Sequence, residues 1–392
     1  MKLIQSIKAF IRAHHPDKQW RKLSPSKIFE SPSLSQTIKK KYVPLWFKAF
    51  YDEKNALFYE RLDHNLKPKL TGTRRLLSQC RQLYLYTEVD TQKKKLLPLL
   101  ARPYESLIKY FYQGEGRWIF SIDDETKPLE TYYDFYAHAF LILALTSYGK
   151  AAHNQDAIKI AKDTFFFIKT HMNHQNGNGY TEALNPDLSK KNAIRRQNPH
   201  MHFFEACLFA FESTNDMDYL TEAHNLFSLF KNYFFDRETN TLREFFNDDL
   251  MPHNEKGNQV EAGHHFEWVW LLDFYAKLAP MMKDEIDTYK NLLYDFACRH
   301  GYDPQYDGIF DACDPEGNPL IKTKRIWVLS EAIRAHRVMR DHDKRAVPLL
   351  EQTKTLLNTR YLCTNGAWVE SWTRDFKTKA VDDLPATSVY HL

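Results

Sequence analysis

Residues 261–272 read Glu-Ala-Gly-His-His-Phe-Glu-Trp-Val-Trp-Leu-Leu, and this stretch is the starting point for predicting the fold. Apolar residues fill most positions from Phe266 onward, which predicts a helix buried on most sides that starts near Gly263. His264 and Glu267 are three positions apart and therefore share one helix face. An imidazole and a carboxylate on one face of a buried helix form either a proton-transfer site or a hydrogen-bonded core pair.

Helical patterns of this kind recur along the chain, which contains only 12 glycines in 392 residues. They are predicted at residues 37–54, 71–88, 92–112, 132–148, 154–171, 199–215, 218–235, 282–299, 325–340 and 346–361. Consecutive helical hairpins that cannot bury their faces alone must stack, either as an open solenoid or as a closed ring. Because segments such as 135–148 and 203–211 are apolar on most sides, we favour a ring of inner and outer helices. It would form one domain over residues 36–392, preceded by an N-terminal extension at residues 1–35.

Composition excludes several classes of protein. A net charge of +4, with 54 basic against 50 acidic residues, is too small to indicate nucleic-acid binding. The sequence contains neither a G-x-G-x-x-G nor a P-loop motif, and no apolar run reaches transmembrane length. Five scattered cysteines without C-x-x-C spacing suit reduced thiols. We therefore expect a cytoplasmic protein that binds neither nucleic acid nor membrane.

Polar residues stand near the beginnings of several apolar helices. His202 and Glu205 repeat the three-residue spacing, and Tyr136 lies close to His138. Further members of this set are Arg81, Asn198 and Glu331. Each residue alone could be a hydrogen-bonded core residue. Because buried charges are costly unless paired, the set as a whole favours a shared polar pocket with aromatic walls, which suits a sugar.

Metal catalysis is not favoured by the sequence. Its two H-x-x-E pairs reverse the order found in di-metal carboxylate bundles, and no H-E-x-x-H motif occurs. We therefore expect no metal and no cofactor.

Four segments together resemble the N-acylglucosamine 2-epimerase superfamily, which includes mannose isomerases, sulfoquinovose-type isomerases and cellobiose 2-epimerases. They are residues 261–268, Asn-Pro-His-Met-His at 198–202, Trp-Val-Leu-Ser-Glu at 327–331 and Pro-Ala-Thr-Ser-Val-Tyr-His at 385–391. Residues 58–63 also fit, and the resemblance runs in order from about residue 40 to residue 391. Ala262 stands where proline is more usual in the family, which affects the start of the helix and not the chemistry.

The resemblance implies an all-α (α/α)6 barrel, a six-hairpin toroid, with a central sugar pocket. It implies that His264 and His391 are the catalytic acid/base pair. The substrate-binding lining would consist of Arg81, Tyr136, Asn198, His202, Glu267 and Glu331. A homodimer is compatible with the surface aromatic residues.

The expected reaction is proton movement at C2 of a reducing monosaccharide through an enediol. His391 would be the main base and His264 either the ring-opening acid or the partner on the opposite face, with Glu267 orienting His264. We favour mannose, interconverted with fructose or glucose, and N-acylglucosamine is the close alternative. A glycoside hydrolase using Glu267 and Glu331, and a non-catalytic helical scaffold, are more distant alternatives.

Overall fold

The computed structural model describes residues 34–90, 95–174 and 177–392. After a short helical segment at residues 34–42, the described residues form eleven α-helices of eight or more residues. In chain order they are α1 Val43–Phe50, α2 Leu76–Asp90, α3 Ala101–Phe111, α4 Phe135–Ala152, α5 Gln155–Phe167, α6 Gln197–Thr214, α7 Met217–Leu229, α8 Ala262–Leu278, α9 Lys283–Phe296, α10 Ile326–Met339 and α11 Ala346–Leu356.

The helices alternate between an inner and an outer ring. Helices α2, α4, α6, α8 and α10 are the inner members, and each packs against its inner neighbours and against outer helices. The inner helices are buried on nearly all sides, as their uninterrupted apolar runs predict. The outer helices bury one face only, for example α3 with Tyr104, Leu107 and Phe111. The structure confirms the (α/α)6 barrel.

Short strands, which were not predicted from the sequence, connect the helices. They are Tyr51–Asp52, Leu57–Phe58, Arg61–Leu62, Pro68–Lys69, Arg74–Arg75, Ser121–Ile122, Pro128–Glu130, Tyr133–Asp134, Ala183–Leu184, Arg195–Arg196, Phe235–Asp236, Thr241–Leu242, Phe245–Phe246, Ala312–Cys313, Pro319–Ile321, Lys324–Arg325, Ser371–Trp372 and Leu384–Pro385. All pair in antiparallel two- or three-stranded sheets. Two- and three-residue strands are too short to produce an alternating pattern in the sequence.

Six of the connecting turns share one backbone conformation. In each, the amide of the fourth residue donates to the carbonyl of the first, as Leu66 does to Asp63. The fourth residue has a positive φ in all six turns: Leu66, Thr126, Leu188, Leu250, Gly317 and Phe376. Five of these turns precede the five inner helices, and the sixth precedes the C-terminal segment. The barrel is therefore built from six copies of one unit.

The C-terminal segment occupies the position of the sixth inner helix. The strand Leu384–Pro385 pairs with Arg61–Leu62, so the end of the chain is bonded to its first repeat. Gln82 on α2 donates to the carbonyl of Ala386, and the chain then forms the 3-10 turn Ser388–Tyr390. This segment lies between α2 and α10 and closes the ring.

The sequence also led to expectations about the N-terminal extension, membrane-spanning segments and the cysteines. Most of the predicted extension, residues 1–33, lies outside the described residues, so the division at residue 35 stays a prediction. Within the described ranges, no helix combines the length and apolarity needed to cross a bilayer. All five cysteines lie in the described residues and are unpaired.

Candidate active site

The site lies at the ends of the inner helices where these helices begin. The sixth residues of the five inner helices form one layer in which each side chain lies near the next: Arg81, Phe140, His202, Glu267 and Glu331. Above this layer, Tyr136, Asn198, His264 and Trp327 come from the first turns of four helices. A cavity of about 360 Å³ lies among these side chains. Arg81, Tyr136, Asn198, His202, His264, Glu267 and His391 all line it.

His264 is held by a carboxylate from outside its own helix. Its Nδ1 lies 2.9 Å from Oε2 of Glu244 and 3.8 Å from Oε2 of Glu261. Glu244 is fixed in turn by a hydrogen bond from Gln197. The expectation that Glu267 orients His264 is wrong. Glu267 is one turn further along α8 and points down the barrel axis, toward His202.

His391 is held by Glu331. Its Nδ1 lies 2.8 Å from Oε1 of Glu331, while Oε2 of the same carboxylate accepts from Trp270 Nε1 at 2.6 Å. Glu331 is fully buried and does not line the cavity, so the predicted substrate-contacting role is corrected to support of His391. His391 itself is 8% exposed although it is the penultimate residue.

Trp327 lies between the two histidines. The centre of its indole is 5.1 Å from the ring of His264 and 5.4 Å from the ring of His391. Gly263 permits this packing, because a Cβ at that position would come within 2.5 Å of the indole. Trp327 belongs to the motif at residues 327–331, but its place at the site was not predicted from the sequence.

Arg81, Tyr136 and Asn198 provide further polar groups at the cavity. The guanidinium donates to Tyr136 Oη at 2.7 Å and to the carbonyl of Thr387 at 3.2 Å. It also packs on the ring of Phe140, 4.3 Å from its centre. The side-chain amide of Asn198 lies 3.2 Å from Nε2 of His264. These contacts fix the positions of groups that face the cavity.

Several buried polar atoms at the cavity have no hydrogen-bond partner among the described residues. They are Arg81 Nε, Asn198 Oδ1, Glu244 Oε1 and both carboxylate oxygens of Glu267. Buried polar groups are rarely left unpaired, because desolvation without a hydrogen bond is costly. This set of donors and acceptors therefore fits a polyhydroxylated ligand.

The rim of the site was not predicted from the sequence. Its residues are Arg196, Glu244, Phe245, Glu261, Arg325, Glu370, Thr387 and Ser388. Arg196 and Arg325 each directly precede an inner helix, and each is paired with a carboxylate from a connecting segment, Glu182 and Asp311 respectively. An arginine immediately before an apolar helix is the sequence signal that could have revealed these two residues.

Other histidines near the helix starts are structural. The fourth residues of α4, α6 and α8 are His138, His200 and His265, and each places Nδ1 within 2.9 Å of the carbonyl four residues earlier. Nε2 of His200 and His265 accepts a backbone amide hydrogen. Of the adjacent pair His264 and His265, only His264 faces the cavity.

Electrostatics distinguishes the two pocket histidines. Burial lowers the pKa of His391 to about 3 despite its bond to Glu331. Burial also disfavours the charged form of His264, but the charge and hydrogen bond of Glu244 outweigh it and raise the pKa of His264. The two imidazoles at one cavity therefore differ in proton affinity, with His264 the stronger base, which suits transfer of protons to and from a single ligand.

Comparison with known proteins identifies the family. The family model described as N-acylglucosamine 2-epimerase (GlcNAc 2-epimerase) matches residues 58–392. A cellobiose 2-epimerase from Dictyoglomus turgidum is 25% identical over 265 residues, a match that spans 64% of this chain and 65% of that relative. A mannose-6-phosphate isomerase from Rhizobium meliloti is 27% identical over 303 residues, 75% of each chain.

A solved structure shares the fold. The crystal structure of a D-mannose isomerase aligns with a TM-score of 0.79 and 20% identity, covering 92% of this chain and 97% of that one. The family match takes in all five inner helices and the C-terminal segment that carries His391. The chain belongs to the N-acylglucosamine 2-epimerase family.

Proposed function

We propose that the protein is a sugar isomerase or 2-epimerase that moves a proton at C2 of a reducing monosaccharide. The observation that carries this proposal is the pair His264 and His391 on either side of Trp327, each bonded to its own carboxylate, Glu244 or Glu331. Family relatives named as epimerases and isomerases support the same class of reaction.

The two histidines have different proposed roles. His264, whose pKa is raised, donates a proton to the ring oxygen and takes up the proton of the anomeric hydroxyl, which opens the cyclic sugar and leaves His264 able to donate again. His391, which is neutral, then removes the proton from C2, next to the carbonyl carbon, and leaves an enediolate. Arg81 lies at the cavity with a free Nε–H and would stabilise the developing negative charge on oxygen.

The fate of the proton decides the product. Return of the proton to C1 from the same face, together with transfer of the O2 proton to O1, converts an aldose into a ketose. Return to C2 from the opposite face, with His264 as donor, gives the 2-epimer. Both routes use the same enediolate and the same two imidazoles, and neither changes the oxidation state of the sugar as a whole.

The cavity favours an uncharged sugar over a sugar phosphate. Of its three arginines, Arg196 is paired with Glu182 and Arg325 with Asp311 and Glu261. Arg81 is the one described cavity arginine without a carboxylate in salt-bridge contact, and it already donates to Tyr136 and Thr387. A phosphate would therefore compete with existing ion pairs. We favour mannose, converted to fructose or glucose, and keep N-acylglucosamine as the alternative substrate.

A glycoside hydrolase is less well supported by this arrangement. That chemistry needs two carboxylates on either side of the bond that breaks. Glu331, the second carboxylate nominated from the sequence, is fully buried beneath His391 and is already bonded to His391 and Trp270. Of the two carboxylates nominated from the sequence, only Glu267 lines the cavity.

The test is NMR of the purified protein with single sugars in D2O. The panel is mannose, fructose, glucose, N-acetylmannosamine and cellobiose. Deuterium at C1 with a ketose product indicates an isomerase, and deuterium at C2 with an inverted sugar indicates an epimerase. His264→Asn and His391→Asn should abolish exchange, whereas His342→Asn, at an exposed histidine, should not. Unlabelled sugars throughout the panel, or hydrolysis of cellobiose, would overturn the proposal.

A further inference from the structure

Glu331, the buried carboxylate that holds His391, has an arginine of its own. Nη1 of Arg334 lies 3.9 Å from Oε1 of Glu331, the same oxygen that lies 2.8 Å from Nδ1 of His391. Arg334 follows Glu331 by three positions on α10, so the two side chains share one helix face. Among the described residues, Arg334 is the one lysine or arginine that forms an ion pair with Glu331.

Arg334 reaches Glu331 from outside the cavity. Its guanidinium lies over the indole of Trp270, 5.0 Å from the centre of the ring, and the same indole donates to Oε2 of Glu331 at 2.6 Å. The side chain of Arg334 is 36% exposed although Glu331 is fully buried, and Arg334 does not line the cavity. Arg334 is therefore in position to act on the site without touching the sugar.

The carboxylate that holds His264 has no such arginine. Glu244 is bonded to His264 and to the neutral amide of Gln197, and no lysine or arginine in the described part of the chain forms an ion pair with it. A buried carboxylate is costly unless a positive charge lies beside it. Glu244 gains that charge when His264 is protonated, whereas Glu331 has it from Arg334 while His391 stays neutral.

The pKa values agree with this difference between the two pairs. Burial raises the pKa of Glu331, but the charge of Arg334 and the bond to His391 outweigh burial and bring it down to about 2. Burial raises the pKa of Glu244, and the charge of His264 opposes the rise without cancelling it.

The other groups around Glu331 do not replace Arg334. Two of them are carboxylates, Glu205 and Glu267, which add negative charge. Arg81 acts on His391 and is bonded to Tyr136 and Thr387. The titratable and charged groups that face the pair Glu331 and Arg334 are Arg81 and Tyr84 from α2, Glu205 from α6, Glu267 from α8, and Tyr390 and His391 from the C-terminal segment.

From this geometry we propose that Arg334 is a positioning residue, whose charge keeps Glu331 ionised and thereby keeps the hydrogen of His391 on Nδ1 and the lone pair on Nε2. A protonated Glu331 would donate to Nδ1 and move the hydrogen to Nε2, and a protonated His391 carries a hydrogen on both nitrogens. In either case His391 could no longer accept a proton from the sugar. The catalytic consequence rests on the proposed function, whereas the effect of Arg334 on His391 does not.

The direct test is ¹⁵N NMR of the His391 imidazole in the ligand-free full chain from pH 9 to pH 4, with the signals assigned by their loss in His391→Asn. In the wild type, Nε2 should stay without a hydrogen over this range. Arg334→Met should raise the pH at which Nε2 gains a hydrogen by about one to three units, the shift that loss of a neighbouring opposite charge produces. Arg334→Lys keeps the charge and should restore most of the wild-type behaviour.

Arg337→Met is the matched control. Arg337 is exposed on the same helix, one turn further along, and its replacement should leave the His391 signals unchanged. Melting curves of the variants show whether the fold is retained.

Kinetics give a second readout where a sugar is turned over. Arg334→Met should move the acid limb of kcat/KM to higher pH, because the base is then lost at higher pH, and activity should recover as the pH rises. In a Glu331→Gln background the same change should alter kcat/KM by less than about twofold, since Arg334 acts through the carboxylate.

Failure of this inference and failure of the proposed function give different results. Unchanged His391 signals in Arg334→Met, or an equally large shift in Arg334→Lys, overturn the role of Arg334 whatever the sugar panel shows. The expected NMR shift without turnover of any sugar overturns the proposed reaction and supports the effect of Arg334 on His391.

Discussion

Oε2 of Glu244 lies 2.9 Å from Nδ1 of His264, although the two residues are twenty positions apart and belong to different elements. The carboxylate that shares a helix with His264, Glu267, makes no such contact. Glu244 is therefore the residue that positions His264 and holds a proton on it. In the proposed reaction, the charge state of the ring-opening acid is set by a connecting segment and not by α8.

Replacing Glu244 by glutamine should shift the pH profile of the enzyme. Without the carboxylate charge the pKa of His264 falls, so the protonated acid is lost at lower pH. The alkaline limb of kcat/KM should move to lower pH, and kcat/KM at neutral pH should fall about 10- to 100-fold. The measurement is a pH–rate profile on the sugar that the wild type converts best.

Glu222→Gln is the matched control for this change. Glu222 is a buried carboxylate on the outer helix α7, bonded to Tyr180. Its replacement should lower the melting temperature and leave the pH profile in place. An unchanged alkaline limb in Glu244→Gln would contradict the role assigned to Glu244.

Removing His391 and Leu392 together should abolish turnover. The neutral imidazole is the proposed base, and loss of a general base costs about 10²- to 10⁴-fold in rate. Strand pairing at Leu384–Pro385 and the bond from Gln82 to Ala386 remain, so the barrel should still close. Removal of Leu392 alone serves as the control, and full activity in the two-residue deletion would exclude His391 as the base.

Gly263→Ala should impair the site without unfolding the helix. Alanine stabilises a helix interior by about 1 kcal/mol relative to glycine. Its Cβ would nevertheless fall 2.5 Å from the indole of Trp327, which must then move away from both histidines. We expect kcat/KM to drop about tenfold, since small displacements of positioning groups are costly in catalysis.

Gly149→Ala is the control for Gly263→Ala. Gly149 lies near the opposite end of α4 from the cavity, where a new Cβ would meet the side chain of Ile158. That variant should change the melting temperature and leave kcat/KM unaltered. Wild-type kinetics in Gly263→Ala would show that the position of Trp327 does not matter.

The buried structural histidines should make the folded protein less stable in mild acid. Nδ1 of His265 donates to the carbonyl of Glu261 and Nε2 accepts from the amide of Leu242, so a second proton has no acceptor. Burial lowers the pKa of His265 to about 3, below the value of about 6.5 expected for an unfolded chain. Between these values the unfolded chain binds more protons, so stability falls as pH falls, by up to about 1.4 kcal/mol per pH unit.

His265→Asn isolates this contribution. An asparagine amide can still donate to the Glu261 carbonyl, but it does not titrate. The free energy of unfolding, measured with denaturant from pH 7 to pH 4, should decline less steeply in the variant. The difference in slope should correspond to about one proton bound on unfolding. Parallel declines in the two proteins would show that His265 is not the titrating group.

The apolar runs predicted most of the helices correctly, because a helix buried on nearly all sides needs consecutive apolar residues in the sequence. Residues 261–272 predicted an inner helix, and α8 occupies Ala262–Leu278. The turn that occurs six times was not predicted from the sequence. A glycine at its positive-φ position would have revealed it, but only Gly317 is a glycine, and the other five turns carry Leu, Thr or Phe at that position. The recurrence of these turns about sixty residues apart is the remaining signal.

The sequence by itself determined the inner helices and the family, because each depends on residues close together along the chain. The site roles that it suggests for seven cavity residues stay predictions. Only the tertiary structure decided that Glu244 and not Glu267 holds His264, that Glu331 lies beneath His391, and that the penultimate residue is buried at the site. The relative position of six packed units depends on how large side chains such as Trp327 fit between helices. No spacing within a single segment of the chain encodes that fit.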